Sequence, residues 1–476
     1  MTAPNADTLL DPPAPAPASA AAHPHPAHAD ALDDPTPAGA APPARAALPF
    51  SALVATHGYI DIFPILFAVL LLPLREKLGL TSFQVTFVVM ATPIFSGFLQ
   101  PIFARLTDKH DTRVFGPLGL AIGATCIGSI GFVTEFWQLV VLQITGVIAT
   151  GFYHPIATAL AGQTGGRVFR NGRAQAIGVF IFAGMIGHAV GAKLGPFINS
   201  QLGMAHLAWL IPPALLLALL LHLFTNHLPH RHASHRETGA GLSRAESRRR
   251  WRTVAVLAAQ NALRFVVQVG LLTVLFNVWA ESRVLLSSGG ALSGEEVAEQ
   301  AAVHVGSLAT AMTLGMAVGV VFLGRVVPKG RERGPLMWLS FLGAVCIALF
   351  GVLANSLHDR FGWSPAAMLP LYALVAVGAL GYFSTFPVAA SLAQRLIPHH
   401  TGLVTSLMMG VGWGVSASSA LLAIAFFGGV AIDRAPTLEP ERIALAFVGF
   451  AALLVLAGLL TLFIPKDLTA AAADHD

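Results

Sequence analysis

Charge is what this sequence has least of. Only 11% of its 476 residues are Asp, Glu, Lys or Arg, against about a quarter in an ordinary soluble domain. So few ionisable groups cannot wet a large soluble fold on all sides. The 55% hydrophobic share and the mean hydropathy of +0.69 point to a bilayer instead. Cysteine is nearly absent. Cys126 and Cys346 both stand inside apolar segments, where they read as small buried hydrophobes and not as a disulfide or a metal pair. The apolar segments are continuous and do not alternate with polar residues, which excludes a transmembrane barrel. There is no phosphate loop, no HExxH, no paired CxxC and no GxSxG, so ATP-driven, redox and hydrolytic chemistry lack support. The glycine-rich "MGVGWG" (409–414) falls in an apolar segment and reads as helix packing. The net charge of +4 lies mostly in short loops, so it reports topology and no nucleic-acid partner.

What is present is a series of 12 apolar segments of spanning length, near 50–74, 83–104, 114–134, 136–161, 175–199, 205–228, 253–280, 300–327, 335–357, 365–393, 402–430 and 442–464. The fold expected is all-α and integral to the membrane, with two six-helix bundles around a central cavity. Residues 1–47, rich in Pro and Ala, read as a disordered cytoplasmic tail, and His23, His25 and His28 within it give no metal site. The N-terminal bundle is placed at 48–228, a cytoplasmic linker at 229–252, the C-terminal bundle at 253–466 and a tail at 467–476. With both termini in the cytoplasm, 19 Lys/Arg fall on that side and 6 outside. That asymmetry sets the orientation of a multi-pass protein of the cell (inner) membrane.

The halves repeat. "TDKHDTR" (107–113) and "VPKGRER" (327–333) place Lys109 with Lys329 and Arg113 with Arg333 at an offset of 220, as do "GATCI" (123–127) and "GAVCI" (343–347). "HPIATALAG" (154–162) pairs with "FPVAASLAQ" (386–394). Parallel repeats of six helices imply two bundles related by an axis along the membrane normal. On these residues the chain resembles the major facilitator superfamily over about 48–466, and "ARLTDKHDTR" is similar to that superfamily's loop after its second helix, with Ala104 and Asp111 in place of glycines. Within it, "HGYID" (57–61), "LQPIFARLTDK" (99–109), "FYHP" (152–155) and "AQRLIPHHTGLVTSLMMG" (393–410) resemble the fosmidomycin resistance proteins. Ile156 and Arg395 stand where that family carries acids. The resemblance implies proton-coupled export of small molecules, and it implies that helices 1, 4, 7 and 10 line the cavity.

Ionisable groups inside membrane helices are functional candidates because each costs at least ~2.5 kcal/mol to insert. His57 and Asp61, spaced i,i+4, share a helix face and are the proton-coupling candidates. Arg264 lies roughly 16 Å into the seventh segment, near the midplane. Gln260 and Gln268 share its stripe, with Asn261 beside it. These four, with His154 before Pro155 and Tyr382 in the tenth segment, are the substrate-binding candidates. Arg264 is expected either to contact solute or to pair with Asp61 across the cavity. Ser384 and Thr385 could add hydrogen bonds. Lys193 reads as snorkelling behind a packing face of Gly184, Gly187, Gly191 and Gly195, and His188 as an interhelical hydrogen-bonded residue. Arg105, Asp108, Lys109 and Arg113 are the gating candidates.

The reading is a proton-coupled secondary transporter for a small anionic or zwitterionic solute, with efflux favoured. It is not an enzyme and uses no cofactor; its partners are the solute, protons and the bilayer, and it acts as a monomer. Proton-symport uptake of an organic anion is the alternative. A non-transporting sensor and a membrane-embedded enzyme are the readings from other classes.

Overall fold

The computed structural model describes residues 43–103, 113–169, 172–228, 243–397 and 401–471. Eleven helices there are long and apolar enough to cross a membrane: α1 (Ala47–Val69), α2 (Ser82–Phe103), α3 (Phe115–Phe132), α4 (Phe136–Gly165), α5 (Gln175–Leu202), α6 (Met204–Thr225), α7 (Arg244–Ser288), α8 (Gly294–Val326), α9 (Arg333–Phe361), α10 (Pro365–Leu396) and α12 (Pro440–Phe463). The twelfth, α11, is a bent pair, Leu407–Ser416 and Ser418–Phe426, at 42°. They form two bundles with a central cavity between them. With twelve spans, Pro43 and Ala471 emerge on one side, here called the near face.

Polar residues start the helices that begin at the opposite, far face. Thr81 caps α2: its hydroxyl accepts from the Gln84 amide, and the Gln84 side chain accepts from the Thr81 amide at 2.9 Å. Glu135 with Gln138 and Ser293 with Glu296 close the same reciprocal box on α4 and α8. Inside the bundles, glycine brings backbones together. Gly187 and Gly191 of α5 sit against the backbone of α1 at Gly58 and Ile62, so the expected glycine face is a packing seam. Gly97 of α2 meets Gly410 and Gly414 of α11 and forms one contact between the bundles. Others run between α5 and α8 and between the stretch Leu71–Leu78 and α8.

Helix bounds differ from the expected ones where polar residues continue a helix past the apolar window. α7 begins at Arg244 and ends at Ser288, beyond 253–280 at both ends, so residues 244–252 of the expected linker are helical. Ser243 caps it, accepting from the Glu246 amide. The helix Lys466–Ala471 runs into the tail expected from 467, and Asp467 pairs with Arg249 at 2.6 Å, which holds the Asp467 carboxyl below its usual range. Two helices are broken in the far half. α1 stops at Val69 and resumes as the short helix Leu71–Leu78. α7 passes through a π-turn at Leu271–Leu275. Asn277 joins the two irregularities: its amide donates to the Leu272 carbonyl at 3.1 Å and to the Ala68 carbonyl of α1 at 3.3 Å. π-Turns lengthen a helix by one residue and recur at functional positions.

Candidate functional site

Asp61 is 2% exposed and sits at the meeting of α1, α4 and α5. Three histidines surround it. His57 Nε2 lies 3.4 Å from one carboxylate oxygen and His188 Nδ1 lies 3.3 Å from the same oxygen, while His154 Nε2 lies 3.1 Å from the other. The spacing of His57 and Asp61 is the one read from sequence. His188, expected only as an interhelical hydrogen-bonding residue, joins the same carboxylate. Room for this comes from Gly184, where a Cβ would press on both Asp61 and the His57 ring.

The hydrogen bonds on the outer side of two rings fix their tautomers. His57 Nδ1 stands 2.6 Å from the Phe180 carbonyl, and His154 Nδ1 stands 2.7 Å from the Thr150 carbonyl. A carbonyl only accepts, so both Nδ1 atoms carry hydrogen. Both Nε2 atoms then turn a lone pair towards Asp61 unless a further proton sits between. An acceptor facing a carboxylate at these distances is repulsive; a proton in the gap makes it a charge-assisted hydrogen bond. The cluster therefore has two seats for protons, one on each side of the carboxylate. The donor atoms of His57, Asp61 and His154 lie within 4.8 Å of one another. The His57 ring is clamped by stacking on Phe180 at 3.8 Å. His154 and His188 keep 26% and 20% of their side chains accessible.

The α7 candidates are placed differently. Arg264 is fully buried, and its guanidinium turns to α9, not to α1. It donates to Ser340 Oγ at 2.9 and 3.2 Å, to the Leu336 carbonyl at 2.7 Å and to Gln260 Oε1 at 3.4 Å. The pairing with Asp61 is absent in this conformation, because the long side chain swings back to the first turns of α9. Asn261 donates to the Met408 carbonyl of α11 at 2.7 Å. Gln268 is buried, and the Tyr382 hydroxyl donates to the Val375 carbonyl of its own helix at 3.1 Å. Replacing Arg264 by lysine is expected to lower stability by about 1–3 kcal/mol, since an ammonium cannot reproduce a fork spread over Ser340 and Leu336. Thermal melting of the purified protein in detergent checks this; an unchanged melting temperature would show that these bonds carry no weight.

Of the gating candidates, Arg105, Asp108 and Lys109 lie outside the described residues. Arg113 is exposed at the near face beside a cavity of about 520 Å³, which it lines with Val114, His222 and Asn226. An ion pair at the far face escaped sequence reading. Arg75, in Leu71–Leu78, forks onto Glu281 of α7 at 2.6 and 3.0 Å and also reaches Glu76 at 2.7 Å. Burial works against the Arg75 charge, but the bonds to Glu281 and Glu76 outweigh it and hold its pKa above the usual range. Four further ties join the halves towards this face: Asn277 to Ala68, Lys193 Nζ to Ser307 Oγ at 2.6 Å, Thr310 Oγ1 to the Ala189 carbonyl at 3.2 Å and Asn199 Nδ2 to Glu299 Oε1 at 3.3 Å. Lys193, expected to snorkel, is thus one of them.

Residues 52–421 match the profile of the Major Facilitator Superfamily. The chain belongs to that superfamily. It is similar to the fosmidomycin resistance protein of Escherichia coli (strain K12), with 24% identity over 400 residues, 83% of this chain and 87% of the relative. A shorter stretch of 132 residues is 28% identical to the Lactococcus lactis multi-drug resistance efflux pump PmrA homolog, covering 28% of this chain and 32% of that protein. Among solved structures, the fold is similar to a transporter of the POT family in complex with a thioalcohol-conjugated peptide (TM-score 0.59, 14% identity, 88% and 96% of the two chains covered). It is also similar to the nucleoside transporter NupG (TM-score 0.58, 13% identity, 87% and 99%). A bacterial homolog of the human lysosomal transporter Spinster, inward-facing and unoccupied, aligns as well (TM-score 0.56, 16% identity, 90% and 97%). The superfamily and these neighbours are transporters, not enzymes. The chain is a secondary transporter of the major facilitator type, working by alternating access.

Proposed function

We propose that the protein couples proton movement to export of a small anionic or zwitterionic solute, with Asp61 and its three histidines as the proton site. The observation that carries this is the fixed tautomer of His57 and His154, which leaves two seats for protons beside a buried carboxylate. Loading one or both seats changes the charge next to the cavity, and such a change biases a two-state carrier. The solute's negative group is placed at His154 and His188, which are accessible and cationic when protonated. Arg264, the anchor expected from sequence, commits its guanidinium to α9 in this conformation. Export rests on the names of the two relatives, one a resistance protein and the other an efflux pump.

One observation favours the alternative, proton-symport uptake. An anion beside imidazolium groups binds better when they are protonated, so solute and proton load together. The experiment is transport in proteoliposomes with an internal pH dye, adding organic anions, phosphonates and cationic drugs in turn outside. Anion entry that acidifies the lumen marks symport; entry that alkalinises it marks exchange. A response to cationic drugs alone would sink the anionic reading, and solute flux that leaves lumenal pH untouched would sink proton coupling.

A further inference from the structure

The two halves are repeats, so each residue of the Asp61 cluster has a counterpart in the C-terminal bundle, and the structure identifies it by contacts. In the N-terminal half, His57 of α1 donates to the Phe180 carbonyl of α5. Four residues on, Gly184 makes room for both His57 and Asp61. In the C-terminal half, Asn261 of α7 donates to the Met408 carbonyl of α11. Four residues on, Gly412 makes room for both Asn261 and Phe265, whose atoms would lie 3.2 and 2.8 Å from an added Cβ. One offset, 228, carries Phe180 to Met408 and Gly184 to Gly412; another, 204, carries His57 to Asn261 and Asp61 to Phe265. The repeat "HP"/"FP" carries His154 to Phe386. The matching contact is kept: Asp61 touches His154, and the Phe265 ring stands 6.0 Å from the Phe386 ring.

At the positions where the first half places a carboxylate and a histidine, the second half thus places two phenyl rings. Two more aromatics close around them. Trp413 lies 5.1 Å and Phe383 6.1 Å from Phe265, both edge-on. Phe265 is fully buried, whereas Phe386 and Trp413 stay partly accessible. The Asn261 Oδ1 atom beside this wall is buried without a hydrogen-bond partner.

We infer that Phe386 and Trp413, backed by Phe265 and Phe383, form the subsite for a planar apolar part of the transported solute. The substrate is then an amphipathic organic ion: its charged group faces His154 and His188, and its aromatic or broad apolar body lies on the C-terminal wall. Aromatic faces reward a ring far more than a methyl group, by dispersion and by edge-to-face packing. The inference rests on the proposed function only for the sign of the charged group.

The test compares two probes of matched charge, phenylphosphonate and methylphosphonate, by calorimetric binding to the purified full-length protein. Wild type should bind the phenyl probe about tenfold or more tightly. In Phe386→Ala and in Trp413→Ala that ratio should fall to within about threefold, the methyl probe being little affected. Phe386→Leu, which keeps apolar volume and spares folding, should lose part of the preference, and Trp413→Phe should keep most of it. Asp61→Asn should lose proton flux and weaken both probes together while their ratio stays near the wild-type value, so the failure of proton coupling and the failure of this subsite show in different columns. Equal binding of the two probes, no binding of the phenyl probe, or an undiminished preference in both alanine variants overturns the inference.

Discussion

Replacing Asp61 by asparagine is expected to abolish transport driven by a pH gradient, by about a hundredfold or more, and to weaken gradient-free exchange to a smaller extent, because His154 loses the carboxylate that holds its proton. Asparagine preserves the shape of the site but removes the only negative charge among three histidines. A proton on His57, which is 4% exposed, would then be an uncompensated buried charge, and one on the more accessible His154 would lose its counter-charge. Breaking a buried pair by removing one member costs about 3–5 kcal/mol. About two to nearly four powers of ten in occupancy follow from that cost. The seats would hold a proton less often by that factor, and the gradient would have little to load. Asp61→Glu keeps the charge one methylene further out, against the backbone seam at Gly184, and should give intermediate coupling. Measuring lumenal pH and labelled solute together separates the cases. Gradient-driven accumulation by Asp61→Asn at the wild-type level would falsify the proton site.

The second large effect lies at the far face. Removing Glu281 should shift the carrier towards opening on that face. The Arg75 fork is held at both oxygens of Glu281, and the side chains are 12% and 7% exposed. Arg75 keeps Glu76 after the substitution, and the site is not wholly dry. The cost to the closed form is therefore put at about 2 kcal/mol, below the full value for a buried pair. That is roughly a thirtyfold change in the ratio of closed to open forms. Spin labels on cysteines placed at Leu202 and Glu295, with Cys126 and Cys346 replaced by alanine, would report it as a longer distance population. Arg75→Ala should act similarly. The double variant should shift less than the two singles combined, because both singles break the same pair. Wild-type distance distributions in both singles would show that the pair is not a latch.

The sequence made the twelve spans legible because apolar length is a direct imprint of the bilayer. Its errors came where polar residues lie inside helices. Ending the seventh span at 280 hides Glu281 one residue beyond, and ending the first at 74 hides Arg75 in the same way. His57 and Asp61 could be paired because four residues is one helical turn. His188, 127 positions away from Asp61, could not, since only the docking of α5 on α1 brings it there. Its one signal was a place beside the glycine seam. The depth of Arg264 followed from its distance into the helix, but the direction of its side chain did not. A stem of that length reaches either the cavity or α9, and Ser340 and the Leu336 carbonyl decide it. The aromatic counterpart of the proton cluster was half visible in the "HP"/"FP" repeat, yet its other members needed the contacts at Gly184 and Gly412.

The five ties across the far face, from Arg75–Glu281 to Asn199–Glu299, also bear on speed. Every full cycle must break and remake all of them, whatever cargo is aboard. A step common to all cargoes sets a common ceiling on turnover when it is the slowest. Good and poor cargoes would then differ in the concentration that half-saturates the carrier and share nearly one maximal rate. Weakening the ties would raise that rate for all cargoes together and leave their ranking unchanged.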